Sequence, residues 1–472
     1  VETHRGTAPK IIVAAGQRVL RGETLAAGQP GSGVADVHAS SSGVVREIST
    51  LDVQTTSGST AVQCVVIDTD GRDAAIEGTG ATDTGPASDT RARQIEQIRR
   101  AGIVGLGGAA VSTSWKLTRH DAARTLIING AECEPYISCD DLLMRERATD
   151  ILAGSLTLCD LLRARQCIVA VERDKPQAIA ALRAAAANLD DTRLSLAELP
   201  SIYPAGGERQ LVELLLDTEV PSGCYPTDIG VFCQNVGTAC AVHHALNDNQ
   251  PLISRVVTLT GGGIATPRNV YARVGTRAGD LIAHFGGYRE DPAALIFGGS
   301  MMGIAQTSDA APVSKATNCI LVPGRDEVKS SHQEWPCIRC GECAGACPAR
   351  LLPQEMLRAI HNGNPVMLES LGLSDCIECG CCDAICPSHI ALTQKFIAAR
   401  RTMVQRHEAQ AFAEMSQNRF ELHTQRLEMQ EDLEQENQAA LRARLSDAEE
   451  KKRSIVAALE RARRRNKTGA ED

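Results

Sequence analysis

Aromatic side chains are scarce in this chain: Trp, Tyr and Phe together make up 3% of its 472 residues. So few rings leave no series of stacking platforms for single-stranded nucleic acid. A formal net charge of −9 argues equally against a general binder of phosphate backbones, and no nucleic-acid partner is expected. Long apolar runs are missing too. No stretch approaches the roughly 20 residues that a bilayer-spanning helix needs, and the longest, such as Cys167–Val171, have the length of strands. Any membrane role is therefore one of docking. No secretory pattern follows Val1, which reads as a truncated or processed start. Apolar content of 43% and charge of 23% are those of a globular protein, and the length calls for several domains.

Cysteine, by contrast, is abundant, at 18 residues. Two runs share one spacing, C-x2-C-x2-C-x3-C-P: Cys337, Cys340, Cys343, Cys347, Pro348 and Cys376, Cys379, Cys382, Cys386, Pro387. Three thiolates on a tight loop suit three irons of one cubane, and the fourth cysteine ligates the other cluster in two-cluster ferredoxins. Cys337, Cys340, Cys343 and Cys386 are accordingly assigned to one [4Fe–4S] cluster, and Cys376, Cys379, Cys382 and Cys347 to the other. Structural zinc is the competing reading, but it needs no regular third cysteine. Proline after the fourth cysteine fixes the chain direction on leaving each loop. Cys381 is out of step with the repeat and reads as a bystander. Eight cysteines that must stay reduced imply a reducing compartment, by default the cytoplasm.

Residues 1–70 read as a small β-sandwich of short strands, and 71–90, without periodicity, as a linker. Residues 91–250 alternate helix and strand, which implies a largely parallel sheet. Within them lies a glycine-rich segment, Gly105-Leu-Gly107-Gly108-Ala-Ala110, where a backbone amide nest can approach an anion closely. It formally matches a dinucleotide fingerprint, although a helix, not a strand, is expected before it. The apolar strand Thr125–Ile128 then stops at Asn129-Gly130 and presents Glu132 and Glu134. Acidic residues at strand ends serve as ligand contacts or as satisfied loop carboxylates, and both readings stand for this pair. Residues 251–325 return to strands, 326–395 carry the cysteine loops, and 396–472 read as a charged, exposed helical tail.

The order of these segments resembles the C subunit of the Rnf-type electron-transport complex over nearly the whole chain. The resemblance rests on Gly105–Gly108, Leu126–Tyr136, Asp228–Val231, Gln234–Thr238, Arg255–Gly261, Gly298–Gly303 and the cysteine repeat. That subunit is similar in turn to the flavin- and NADH-binding subunit of respiratory complex I. Residues 1–70 resemble the biotinyl/lipoyl barrel-sandwich, without the carrier lysine. The likeness also implies a Rossmann-like α/β domain for FMN and dinucleotide, and a β-grasp module of the soluble-ligand-binding type at 251–325.

Residue by residue, the likeness places Gly105, Gly107, Gly108 and Lys116 at the flavin phosphate and ring. It places Asn129, Glu132 and Glu134 along flavin and nicotinamide, Tyr203, Gly206 and Glu208 toward the dinucleotide, and Gln234, Asn235 and Thr238 at the FMN phosphate. The chain departs from the pattern at Ala131, at Gly207, and at Ala110–Ser114, where the aromatic of the family loop is absent.

The expected function is that of a peripheral subunit on the cytoplasmic face of a bacterial inner membrane, part of an ion-translocating ferredoxin:NAD+ oxidoreductase. Electrons would pass between NAD(H), FMN and two [4Fe–4S] clusters, to or from ferredoxin or a ferredoxin-type subunit, with integral membrane subunits as further partners. No catalytic acid or base is expected, because the cofactors carry the chemistry. Two other readings are a non-catalytic iron–sulfur wiring subunit and a soluble flavin–iron–sulfur dehydrogenase subunit.

Overall fold

Val13, Val19, Leu25, Ala39 and Val45 fill a small core near the start of the chain. Around it lie two antiparallel three-stranded sheets. Thr24–Ala27 runs between Lys10–Ile11 and Val37–His38, and Gly43–Thr55 between Arg18–Val19 and Gly58–Thr69. This is the expected β barrel-sandwich, with one difference: the last two strands are 13 and 12 residues long, not short. β-Branched residues there, exposed (Thr50, Thr60) or half-buried (Val53, Val62), favour extension with little core to fill. Near the hairpin tip, the backbone of Gln54 exchanges two hydrogen bonds with the Gln306 side chain.

The computed structural model describes residues 9–29, 34–55, 58–76, 90–120, 122–289, 292–328 and 333–468. Of the segment read as a linker, 77–89 lie outside these. Its beginning is docked: Ile76 donates its amide to Arg21, and Asp73 pairs with Arg273 and Arg21.

The central sheet is parallel, in the order Val231–Asn235, Thr125–Gly130, Gln166–Glu172, Leu194–Leu199. Period-two alternation divides its side chains. Leu126, Ile128, Val169 and Phe232 face a core shared with helices Thr90–Arg100, Ala148–Leu161 and Val236–Asn247, while Ile127, Ala170 and Cys233 meet helix Glu208–Leu216 on the other face. Three strands are laid down in one direction and the fourth is added beside the first. The chain order therefore reverses between Asn129 and Asn235, which are register partners. Such a switch point opens a crevice at the carboxyl ends of the strands.

A second, mixed sheet of five strands follows, with Ser254–Thr260 and Cys319–Leu321 at its centre and helix Ala278–His284 packed on it. The cysteine loops come next, separated by helices Pro353–His361 and Pro365–Ser370. Fold class thus follows the expectation, mixed α/β and β with a helical tail. From Ala398 the chain forms a separate unit, the remainder of the 77-residue helix Leu392–Thr468, exposed along nearly all of its length. Among the described residues, no helix is long and apolar enough to cross a membrane.

The first module is fixed to the central one by Arg99, at the end of its helix. The guanidinium donates to Asp36 and to the Gly28 carbonyl, and both side chains of the pair are only 8% exposed. Removing one partner of a buried pair strands the other charge, at a cost of about 3–5 kcal/mol. Asp36→Ala is therefore expected to detach the N-terminal module in thermal melts and to speed its proteolysis, whereas substitution of the exposed Asp68 leaves both unchanged.

Candidate functional site

The crevice at the switch point is bordered by a short glycine-rich loop. The Gly105 amide bonds Val111 at 2.8 Å and Val104 bridges Ser112, closing a neck from which Gly107, Gly108 and Ala109 project, exposed. Gly108 has φ of +106°, which favours glycine, and a β-carbon there would meet nothing within 4 Å. As expected, a helix precedes the loop, and Thr113–Arg119 follows it, capped by Ser112.

The residues read as phosphate contacts turn out to shape this loop. Thr238 Oγ1 accepts from the buried Leu106 amide at 2.9 Å, and Gln234 donates to Thr113 at 3.1 Å. Asn235 caps helix Val236–Asn247 by accepting from the Gly237 amide, and its Nδ2 donates to Asp140 at 2.7 Å. Arg255, from the neighbouring sheet, donates to the Leu106 carbonyl. Sequence reasoning overlooked Asp140 and Arg255. An aspartate one residue into a helix and an arginine on a strand carry no distinguishing pattern.

Across the crevice, Asn129 Nδ2 donates to the Gly206 carbonyl at 2.9 Å and its Oδ1 accepts from Ala131. A β-carbon on Gly206 would stand 2.8 Å from the Ala131 carbonyl, so glycine alone permits this approach. Lys116 donates to Cys233 O at 2.8 Å, pairs with Glu208 at 3.2 Å and lies over the Phe232 ring.

The two glutamates have different surroundings. Glu132 is buried and accepts both the Asp140 and Asp141 amides, capping helix Cys139–Glu146. Burial, with Asp140 adding repulsion, pushes its carboxyl up to about 8. Glu134 accepts the Met301 and Met302 amides at 2.6 and 3.1 Å, holding the Gly298–Gly303 turn of the second sheet. In this structure both are loop carboxylates that accept from backbone amides.

Tyr203 points to the cysteine loops: its hydroxyl donates to the Cys379 carbonyl at 2.7 Å. Burial and Glu134 raise its pKa well above the usual phenol range. Arg209 and Ser222 both bond Asp375 in the same region, so the crevice and the cysteine loops share one wall.

Cys337, Cys340, Cys343 and Cys386 line one pocket together with Ile338, Leu357, Ile390 and Leu392. Cys347, Cys376, Cys379 and Cys382 line a second, walled by Leu351, Met356 and Phe396 and bordered by Cys381. The backbone repeats between the two loops. Positive φ recurs at Arg339 and Glu378, at Gly341 and Gly380, and at Arg350 and His389. Four thiols converging on an apolar-walled space fit an inorganic cluster held by thiolates. The halves differ in exposure, for Cys337 and Cys340 are exposed whereas Cys379 and Cys382 are buried.

A glycine loop at a switch point, sharing a wall with the nearer of two pockets of four thiols each, fits an electron-transfer protein of the flavin and iron–sulfur class. Residues 98–244 match the Nuo51 FMN-binding domain, 1–72 the RnfC barrel sandwich hybrid domain and 256–305 the SLBB domain. The C subunit of the ion-translocating oxidoreductase complex from Pseudomonas aeruginosa is 42% identical over 91% of this chain and 55% of its own length. Its counterpart from Erwinia tasmaniensis is 41% identical over 91% and 52%. The chain belongs to this family, the C subunits of Rnf-type complexes. It spans about half the length of the curated relatives it matches. Among solved structures, an NAD+-reducing [NiFe]-hydrogenase is similar at a TM-score of 0.46 and 18% identity, covering 68% of this chain and 62% of that one.

Glu132 gives the site a pH signature. Its folded-state pKa lies above the ordinary 4.5, so the fold favours the protonated carboxyl, and that stability is lost as pH rises toward and through about 8. The melting temperature is expected to fall between pH 6 and pH 9 (~3 pH units). Glu132→Gln, which forfeits one accepted amide, melts lower at pH 6 but loses most of that slope.

Proposed function

We propose that the chain is the peripheral electron-input or electron-output subunit of a membrane-bound, ion-translocating ferredoxin:NAD+ oxidoreductase. On this reading it exchanges electrons between NAD(H) and a ferredoxin-type partner, docked on integral subunits at the cytoplasmic face of a bacterial inner membrane. The observation that carries the reading is the Tyr203–Cys379 hydrogen bond, which ties the dinucleotide side of the crevice to a cysteine loop.

A flavin in the crevice and cubane clusters in the thiol cavities supply the conversion between paired and single electrons. Cys347, Cys376, Cys379 and Cys382 would hold the inner cluster, and Cys337, Cys340, Cys343 and Cys386 the outer one. Gly105, Gly107 and Gly108 would let the FMN phosphate reach the backbone, with Lys116 as the nearby cation. Gln234, Asn235 and Thr238 hold that loop in shape from behind. Asn129, Glu132 and Glu134 set the floor, and Tyr203, Gly206 and Glu208 the side open to dinucleotide. The exposure difference between the two cysteine sets supports an order, with the buried thiols beside the crevice and the exposed ones facing the partner.

Rebuilt anaerobically with iron, sulfide and FMN, the full chain is expected to bind about eight irons, and to reduce a ferricyanide-type acceptor from NADH. Intact clusters without flavin binding would refute the flavin role, and would leave an iron–sulfur wiring subunit. Thr238→Val orphans the Leu106 amide and is expected to weaken FMN binding by about tenfold. Tyr203→Phe keeps the ring but frees the Cys379 carbonyl. It is expected to shift the midpoint potential of the inner cluster and slow NADH-driven cluster reduction, with iron and FMN content unchanged.

A further inference from the structure

On the face of the central module remote from the cysteine loops in sequence, helices Ala148–Leu161 and Val236–Asn247 pack against one another closely. The cause is Gly154. A β-carbon there would stand 1.9 Å from the Ala239 carbonyl and 3.3 Å from His243 Cβ. With the backbones so near, Asp150, one turn before Gly154, reaches the facing helix. There, Cys240 and His244 sit four positions apart and so share one side.

The result is a cluster of donors of mixed chemistry. An Asp150 oxygen, Cys240 Sγ and a His244 ring nitrogen all lie within 4.8 Å of one another. His244 Nε2 is 3.4 Å from Asp150 Oδ2, and its Nδ1 is 2.7 Å from Asp248 Oδ2. With Nδ1 donating to Asp248, Nε2 is the ring nitrogen left to face Asp150 and the thiol. This is the arrangement of outer partners that orients metal-bound histidines. His243 borders the cluster, with Nε2 4.0 Å from Asp150 Oδ1, while its Nδ1 accepts from Asn247. Nothing in the electron-transfer reading uses these residues.

We propose that Asp150, Cys240 and His244 form a binding site for a divalent zinc-class cation, with Asp248 as the positioning residue for His244. One sulfur, one imidazole nitrogen and one carboxylate oxygen are the donor types zinc accepts in tetrahedral sites, and a fourth position is left beside His243 for water. Two negative donors and one neutral one also balance the cation's charge, once the thiol has given up its proton. Arg147, which now pairs with Asp150 Oδ2 at 3.7 Å, is 61% exposed in its side chain and free to swing into solvent.

The competing description is a histidine–aspartate ion pair with a bystander thiol. The test uses the full chain with its clusters rebuilt anaerobically, supplied with zinc and then washed with a mild chelator. Iron and zinc are counted together, and zinc-edge X-ray absorption reports the ligands. The expected result is one retained zinc per chain with a single sulfur among nitrogen and oxygen donors. Cys240→Ser and His244→Ala should lose the zinc and keep the iron, and Asp248→Asn should weaken retention about 10–100-fold. Because Asp248 is a surface side chain, its substitution separates metal loss from misfolding. Zinc that is absent, equally retained in Cys240→Ser, or bound by four sulfurs in the cysteine loops would overturn the proposal.

Discussion

Three modules meet on two cations. Arg99, from the first helix of the central module, reaches back to Asp36 and Gly28 in the barrel-sandwich. Lys315, from the second sheet, donates to the carbonyls of Asp36 and Gly102 from the other side. Gly102 sits between them at φ +72°, and a β-carbon there would be 2.4 Å from the Asp36 carbonyl. Enclosing these charges is tolerable only because each is met by a carboxylate or carbonyl partner. The glycine loop begins three residues later, so the junction that joins the modules also fixes where the crevice opens.

The crevice itself is assembled by backbone approach more than by side chains aimed into it. Gly206 against Ala131 brings the chain to a distance that a larger residue would disturb. The polar side chains nearby then serve the frame: Thr238 holds Leu106, Glu132 caps a helix, and Glu134 holds the turn at Met301. This division leaves exposed main chain at the loop tip, the kind of surface suited to a phosphate, and keeps the frame rigid beside the cysteine loops.

Much of this was legible in the chain itself. The cysteine spacing grouped the thiols as the two pockets do, with the fourth cysteine of each run crossing to the other loop's set. Strand–helix alternation identified the parallel sheet, and the stop at Asn129-Gly130 marked a strand end at the crevice. Less legible were matters decided by contact across long separations. Nothing near Tyr203 announces that its hydroxyl bonds Cys379, and an acidic residue after a strand looks the same whether it caps a helix or meets a ligand. The long hairpin was read as short strands because its outer half carries only a short, half-buried alternation, Leu51 and Val53 opposite Val62 and Thr60. Cys240 and His244 have a helical metal-ligand spacing, but their third member, Asp150, lies on another helix that the sequence does not tie to them.

The two cysteine loops are near copies in backbone, yet one turns its sulfurs outward and the other encloses them. Sulfur that meets solvent also meets dioxygen and peroxide, so Cys337 and Cys340 are the cluster-loop thiols most open to oxidation, while Cys379 and Cys382, beside the crevice, are the best shielded.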